Sequence, residues 1–197
     1  MASLISGSGA TTNTISGNYI GTDATGSLDL SNSQNGVVIL DGAQNNVIGG
    51  STSGERNVIA FNGLDGIEIS DDTSTGNTIT QNSIHSNTGL GIDLVNGGNA
   101  DLAAPTVSAA NTCFVMGTAG AGYTVEVFTD PDDEGKTYLT TVSADGGGNW
   151  SAPGPFTLDN YVTATATDAS SNTSEFSTKV TAGTCYQTFV PLIMKNY

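Results

Sequence analysis

The feature that most constrains this chain is a short unit, Asn-x-Ile, that keeps returning through its first half. It stands as Asn13-Thr14-Ile15 with Asn18, as Asn57-Val58-Ile59 with Asn62, as Asn77-Thr78-Ile79 with Asn82, and as Asn82-Ser83-Ile84. A shorter copy is Asn46-Val47-Ile48-Gly49-Gly50. Between these units falls a second one, a glycine followed by aliphatics: Gly36-Val37-Val38-Ile39-Leu40, Gly66-Ile67-Glu68-Ile69 and Gly91-Ile92-Asp93-Leu94. The copies recur at roughly 20–30 residues, the period of a solenoid coil. A strand with one or two inward aliphatics cannot bury them alone. Coils stacked about 4.8 Å apart align those residues into columns and make a continuous core. Asn and Gly are expected at the corners, where both tolerate positive φ, and stacked Asn side chains are expected to hydrogen-bond from coil to coil.

The stretch from Asn13 to Gly26, together with Arg56-Asn57-Val58-Ile59 and Gly89-Leu90-Gly91-Ile92-Asp93-Leu94, resembles the repeats of bacterial secreted parallel β-helix proteins. The last of these segments resembles the closing coil of such arrays. The resemblance covers residues 1–100 and implies a short right-handed parallel β-helix. Members of that family are usually longer, so the first coil is expected to lack a cap. No signal peptide is visible behind Met1-Ala2-Ser3, so export is expected to rely on a segment outside this chain or to have preceded processing.

From about Gly97 to Pro105 the pattern changes to a linker-like run. Beyond it, alternation and turn clusters predict strands at 113–117, 123–129, 137–142, 161–168 and 175–181, and six or seven short strands in a segment of this size suggest a sandwich. The run Tyr161–Asp168, closed by Ser171–Ser177, is similar to the last hairpin of bacterial Ig-like domains. The expected architecture is therefore all-β, with β-helix repeats over 1–100, an Ig-like β-sandwich over 101–184, and an apolar tail over 185–197. That tail, with Phe189, Val190, Leu192, Ile193 and Met194, resembles the apolar, proline-containing ends of secreted proteins from certain filamentous bacteria. A strand docked on the sandwich, a strand donated to a neighbour and a sorting signal are all open to it. As a subunit contact, these five residues would carry self-association.

Cys113 and Cys185 are the two cysteines. Neither lies in a CxxC pair, and a single histidine cannot complete a zinc site with them. An intramolecular disulfide fits an exported protein; an intermolecular bridge and two free thiols are the alternatives. With 19 acidic residues against 4 basic ones, the net charge is −15. Nucleic acid and anionic membranes, which need a basic face, are poor partners. No segment is long and apolar enough to span a bilayer.

Arg56 sits where the repeat explains it, and the single histidine, His85, is expected at an exposed strand position. The adjacent Asp71-Asp72 would point to opposite faces of a strand unless a turn brought them together. Asp130, Asp132, Asp133 and Glu134 form the one candidate calcium set, since four carboxylates in a turn suit a hard cation; an acidic hairpin loop is the plainer reading. Asp168 and Asn172 read as a turn clasp. Trp150 reads as core, or as a sugar platform beside Tyr19. Asn149 and Asn172 begin glycosylation sequons, a pattern common by chance. The expectation is a non-enzymatic, secreted cell-surface structural protein that assembles head to tail into a filament or layer. It needs no cofactor, unless calcium binds at the acidic loop. The alternative is a carbohydrate-binding or polysaccharide-degrading module, with a glycan as partner.

Overall fold

A computed structural model describes residues 2–185. The chain is all-β, in several sheets. In the N-terminal half the strands are β1 (Ser3–Ser6), β2 (Thr14–Ile15), β3 (Tyr19–Ile20), β4 (Val37–Leu40), β5 (Val47–Gly49), β6 (Val58–Ala60), β7 (Ile67–Ser70), β8 (Thr78–Thr80), β9 (Ser83–His85) and β10 (Ile92–Val95). A 3-10 turn at Gly98–Asp101 leads to β11 (Thr106–Asn111), β12 (Phe114–Thr118), β13 (Thr124–Asp130), β14 (Thr137–Ser143), β15 (Asn149–Pro153), β16 (Tyr161–Thr167) and β17 (Val180–Thr181).

The first ten strands form three parallel sheets, in the orders β1-β4-β7-β10, β2-β5-β8 and β3-β6-β9. Each pass of the chain adds one strand to each sheet, so equivalent residues stack. Ile5, Ile39, Ile69 and Leu94 make one inward column, Ile15, Ile48 and Ile79 a second, and Ile20, Ile59 and Ile84 a third. These side chains share one core, each full burial contributing about 1.5–3 kcal/mol. The outward column of the first sheet runs Leu4, Val38, Glu68, Asp93, turning from apolar to acidic toward its last strand.

The repeat asparagines hydrogen-bond from pass to pass. Asn13 donates its backbone N–H and its Nδ2 to Oδ1 of Asn46, at 3.0 and 2.9 Å. Asn46 does the same to Asn77, and the series Asn18, Asn57, Asn82 repeats the pattern. Asn46, Asn57, Asn77 and Asn82 are buried. Their role corrects the expectation that they would supply positive φ. The left-handed corners fall instead on residues such as Asp41, Asp71 and Asn96, each just after a strand of the first sheet. Asn99, inside the expected linker, is fully buried; it has positive φ and accepts from Asn77 N–H, so the ladder continues into that segment.

The C-terminal half is antiparallel, with sheets β11-β12-β15 and β14-β13-β16-β17. Val107, Val115, Trp150 and Ala152 of one sheet meet Val125, Val127, Val162 and Ala164 of the other in a second core. Two strands here, β11 and β15, were not expected. The segment expected to be a strand over 175–181 is one only at Val180–Thr181; Phe176 leaves it to pack against the N-terminal core. Cys113 and Cys185 pair as an intramolecular disulfide with Cα atoms 5.8 Å apart. The expected contact residues Phe189, Val190, Leu192, Ile193 and Met194 lie outside the described residues.

Candidate functional site

The last pass of the parallel sheets would leave a row of N–H groups without a further strand to receive them, an edge that proteins must cover. The C-terminal half supplies the acceptors one by one. Gly76 N–H donates to Asn172 Oδ1 (2.6 Å), and Ile79 N–H to Thr173 Oγ1 (3.0 Å). Thr80 Oγ1 and Gln81 N–H donate to the two oxygens of Glu126, at 2.6 and 2.9 Å. Ile84 and Gly135 exchange backbone bonds of 3.1 and 2.9 Å. Leu94 N–H donates to Glu175 Oε1 at 3.1 Å.

Glu134 makes the most specific of these contacts. Asn62 gives its N–H and Nδ2 to Oδ1 of Asn87 (3.1 and 2.8 Å), as elsewhere in the ladders. Asn87 in turn gives the same two donors to Glu134 Oε2 and Oε1, at 3.1 and 2.9 Å. A carboxylate, an acceptor only, thus takes the place of the next asparagine and ends the ladder.

Local sequence explains how these groups reach the junction. In β13, Val125 and Val127 face the C-terminal core, so Glu126 and Phe128 face the opposite way, toward the N-terminal half. Both are buried because this sheet is covered on its two faces. Thr163 of β16 is buried too, and its hydroxyl donates to the Glu134 carbonyl at 2.5 Å. Phe176 crosses edge-on to Phe128, with ring centroids 5.4 Å apart. Beside it opens a cleft of about 320 Å³ lined by Leu90, Ile92, Glu134, Glu175, Phe176 and Lys179, among others.

Burial dominates the electrostatics of this junction. It raises the Glu126 and Asp130 carboxyls above their ordinary range, and pushes Glu134 up to about 7 against the opposing pull of Asn87. Asp93 is raised by burial and by Asp65, Glu175 and Glu68 around it. His85 is driven down to about 4, by burial first and by Lys136 second.

The four carboxylates of the candidate calcium set are not brought to one centre. Asp130 is buried and clasps its own turn, accepting from Asp132 N–H (2.6 Å) and Lys136 N–H (2.8 Å). Asp132 and Asp133 are exposed and pair with Lys179 at 3.0 and 3.6 Å. Glu134 points into the junction. Among the described residues no group of three or more His, Cys, Asp or Glu is placed to hold a metal ion. The loop docks on β9 through Gly135, which carries the neighbouring Glu134 toward Asn87, while Asp132 and Asp133 stay outside on Lys179.

Other expected positions resolve individually. His85 is buried at 7% exposure, not exposed, and lies edge-on to Phe61. Asp71 occupies a turn and accepts from Thr73, Ser74 and Asp41, while Asp72 is exposed. Arg56 donates to Gln81 Oε1 and stacks over Tyr138 at 4.7 Å. Asp168 and Asn172 form the expected clasp, yet Asn172 also caps Gly76. Its sequon asparagine is buried, whereas Asn149 is exposed. Trp150 is 3% exposed and belongs to the core; Tyr19 is exposed. The capping groups Glu126, Thr173 and Glu175, and their partner Asn87, were not singled out from sequence. The one local sign was an acid in the apolar alternation Val125-Glu126-Val127.

No protein-family model matches the chain, and no curated protein matches it. No helix among the described residues is long and apolar enough to cross a membrane.

Proposed function

We propose that this chain is a non-enzymatic structural protein of the bacterial cell surface, exported and built as a short right-handed parallel β-helix with an Ig-like β-sandwich seated on its last coil. The observation that carries the reading is the use made of the buried acids. Glu126 and Glu134 are spent as hydrogen-bond acceptors for the end of the stack, which is the work of a scaffold. The paired cysteines suit an oxidising, extracellular setting.

Self-association follows from the asymmetry of the stack. Its last coil is covered by the sandwich, whereas β1, β2 and β3 have a strand neighbour on one side only among the described residues. An open edge of this kind accepts an added strand. The partner in a head-to-tail assembly is then the tail with Phe189, Val190, Leu192, Ile193 and Met194 of the next subunit, a heterologous contact that gives a ring or a filament.

Light scattering and negative-stain microscopy test this on the full chain beside a version ending at Cys185, which keeps the disulfide. Rings or filaments that disappear on truncation are expected. A strictly monomeric full chain at high concentration overturns the assembly, and glycan binding then becomes the reading to test.

A further inference from the structure

The chain has 4 basic residues against 19 acidic ones, and two of the four meet at one place. Arg56, just before β6, and Lys136, just before β14, line a notch of about 150 Å³ where the two halves touch, with Gln81, Ser83 and Tyr138 among its other walls. Among the described residues neither cation pairs with a carboxylate, whereas Lys179 pairs with both Asp132 and Asp133. We propose that this notch is a binding site for a single tetrahedral oxyanion, a sulfate or phosphate group, held by Arg56 from the N-terminal half and by Lys136 from the C-terminal half.

The walls are pinned by bonds that leave donors to spare. Arg56 gives Nη2 to Gln81 Oε1 at 2.9 Å and lies over the Tyr138 ring at 4.7 Å, which fixes the guanidinium. That bond uses only part of its donor set. Its Nε is buried and has no partner, so a ligand in the notch is served by the Nη groups. Gln81 is held by its own N–H, which donates to Glu126 Oε2 at 2.9 Å; with Oε1 taken by Arg56, its Nε2 remains a donor on the rim. The Lys136 backbone is tied on both sides, its N–H donating to Asp130 Oδ2 (2.8 Å) and its carbonyl accepting from Ser83 Oγ (2.6 Å), while its side chain is exposed. A guanidinium, an ammonium and an amide around one small notch call for a ligand rich in acceptors. A tetrahedral oxyanion turns oxygens toward all three, whereas a carboxylate offers two oxygens in one plane.

A structural ion pair is the plainer use of a partly buried arginine. Two acids lie within electrostatic reach, Glu126 of Arg56 and Asp130 of Lys136. Both are buried and already engaged: Glu126 accepts from Thr80 Oγ1 and Gln81 N–H, and Asp130 from the N–H groups of Asp132 and Lys136. Their charges offset part of the attraction for an anion, so a dissociation constant on the order of 1 mM is expected. A net charge of −15 repels any long polyanion that extends past the notch, which leaves a free ion or one isolated ester group. Because the two cations come from different halves, occupancy also ties the halves together. None of this depends on the chain's assembly.

Amide NMR of the full chain tests it, by titration with sodium sulfate at an ionic strength held constant with sodium chloride. Saturable shifts are expected at Gln81, Ser83 and Lys136, with Val115 in the C-terminal core unmoved. Lys136→Gln, at an exposed side chain, is expected to weaken sulfate about tenfold, and Arg56→Lys, which keeps the charge but loses the planar fork, by a similar factor. Acetate is expected to bind about fivefold more weakly than sulfate. Shifts that never saturate, or an unchanged affinity in Lys136→Gln, overturn the site, and the second criterion holds even if Arg56→Lys fails to fold. Acetate binding as tightly as sulfate overturns the tetrahedral class. Methyl phosphate and inorganic phosphate separate the two sources: equal binding supports an ester-borne group, and exclusion of the methyl ester supports a free ion.

Discussion

Asn57 shows what one repeat position contributes. It is fully buried; its Oδ1 accepts two donors from Asn18, and its Nδ2 donates to Asn82 Oδ1 and to the carbonyl of Ile15. An alanine there removes an acceptor and a forked donor from a dry site, and leaves the space unfilled. Asn57→Ala is therefore expected to cost roughly 2–4 kcal/mol. Asn13 sits at the exposed start of a ladder, where water replaces what is lost. Asn13→Ala is expected to cost less than about 1 kcal/mol. Urea unfolding of both variants checks the contrast. Equal losses would mean that the ladder contributes through strand propensity and not through buried hydrogen bonds. His85 makes the complementary point: its place in the repeat suggested solvent, but it lies in the interior edge-on to Phe61, where burial first and the charge of Lys136 second favour the neutral ring.

Among the elements, the glycines that end short strands fix how closely the passes approach. Gly49 closes β5 at a φ of 101°, and a Cβ there would press on the carbonyl of Thr80 in the next pass and on the Asn82 amide. Gly21, at φ 81°, stands in the same relation to Ala60 and Asn62 one pass away. Gly49→Ala meets both a left-handed backbone and a backbone collision, so a loss of about 3 kcal/mol or more is expected. Gly54, in an open turn with nothing within 4 Å of its would-be Cβ, is the control. Gly54→Ala is expected to stay within about 0.5 kcal/mol, and thermal melts of the two variants separate backbone strain from a general glycine effect. The strands carrying Asn-x-Ile and the glycine–aliphatic units were legible because each contains its own periodic signal. β11 and β15 were not, since Thr106–Asn111 and Asn149–Pro153 alternate Ser, Ala and Asn with few aliphatics and carry a weak apolar pattern. The cap was illegible for a different reason. Glu126 meets Gln81 and Glu134 meets Asn87 across 45 and 47 residues of sequence, and no local spacing encodes such a meeting.

At the scale of the whole molecule, the question is whether the two cores unfold separately. The disulfide closes the C-terminal half on itself, joining positions 72 residues apart, and in the chain-entropy model contributes about 4 kcal/mol. Were the halves independent, reducing it would lower the stability of the C-terminal half alone. The junction argues otherwise. Unfolding the C-terminal half would strip acceptors from Gly76, Ile79, Gln81, Asn87 and Leu94 and withdraw Phe176 from the N-terminal core. Each orphaned donor weakens the parallel sheets from their last pass inward. Trp150, the single tryptophan, is buried in the C-terminal core and reports that half by fluorescence. The Asn57 amide, near the middle of the parallel stack, reports the other by hydrogen exchange. Both probes are expected to lose their signal at one denaturant midpoint, and reduction is expected to move both together. In melting temperature that shift is about 10 °C. A Trp150 transition that moves while Asn57 protection stays in place would mean that the capping bonds cover the edge without coupling the cores.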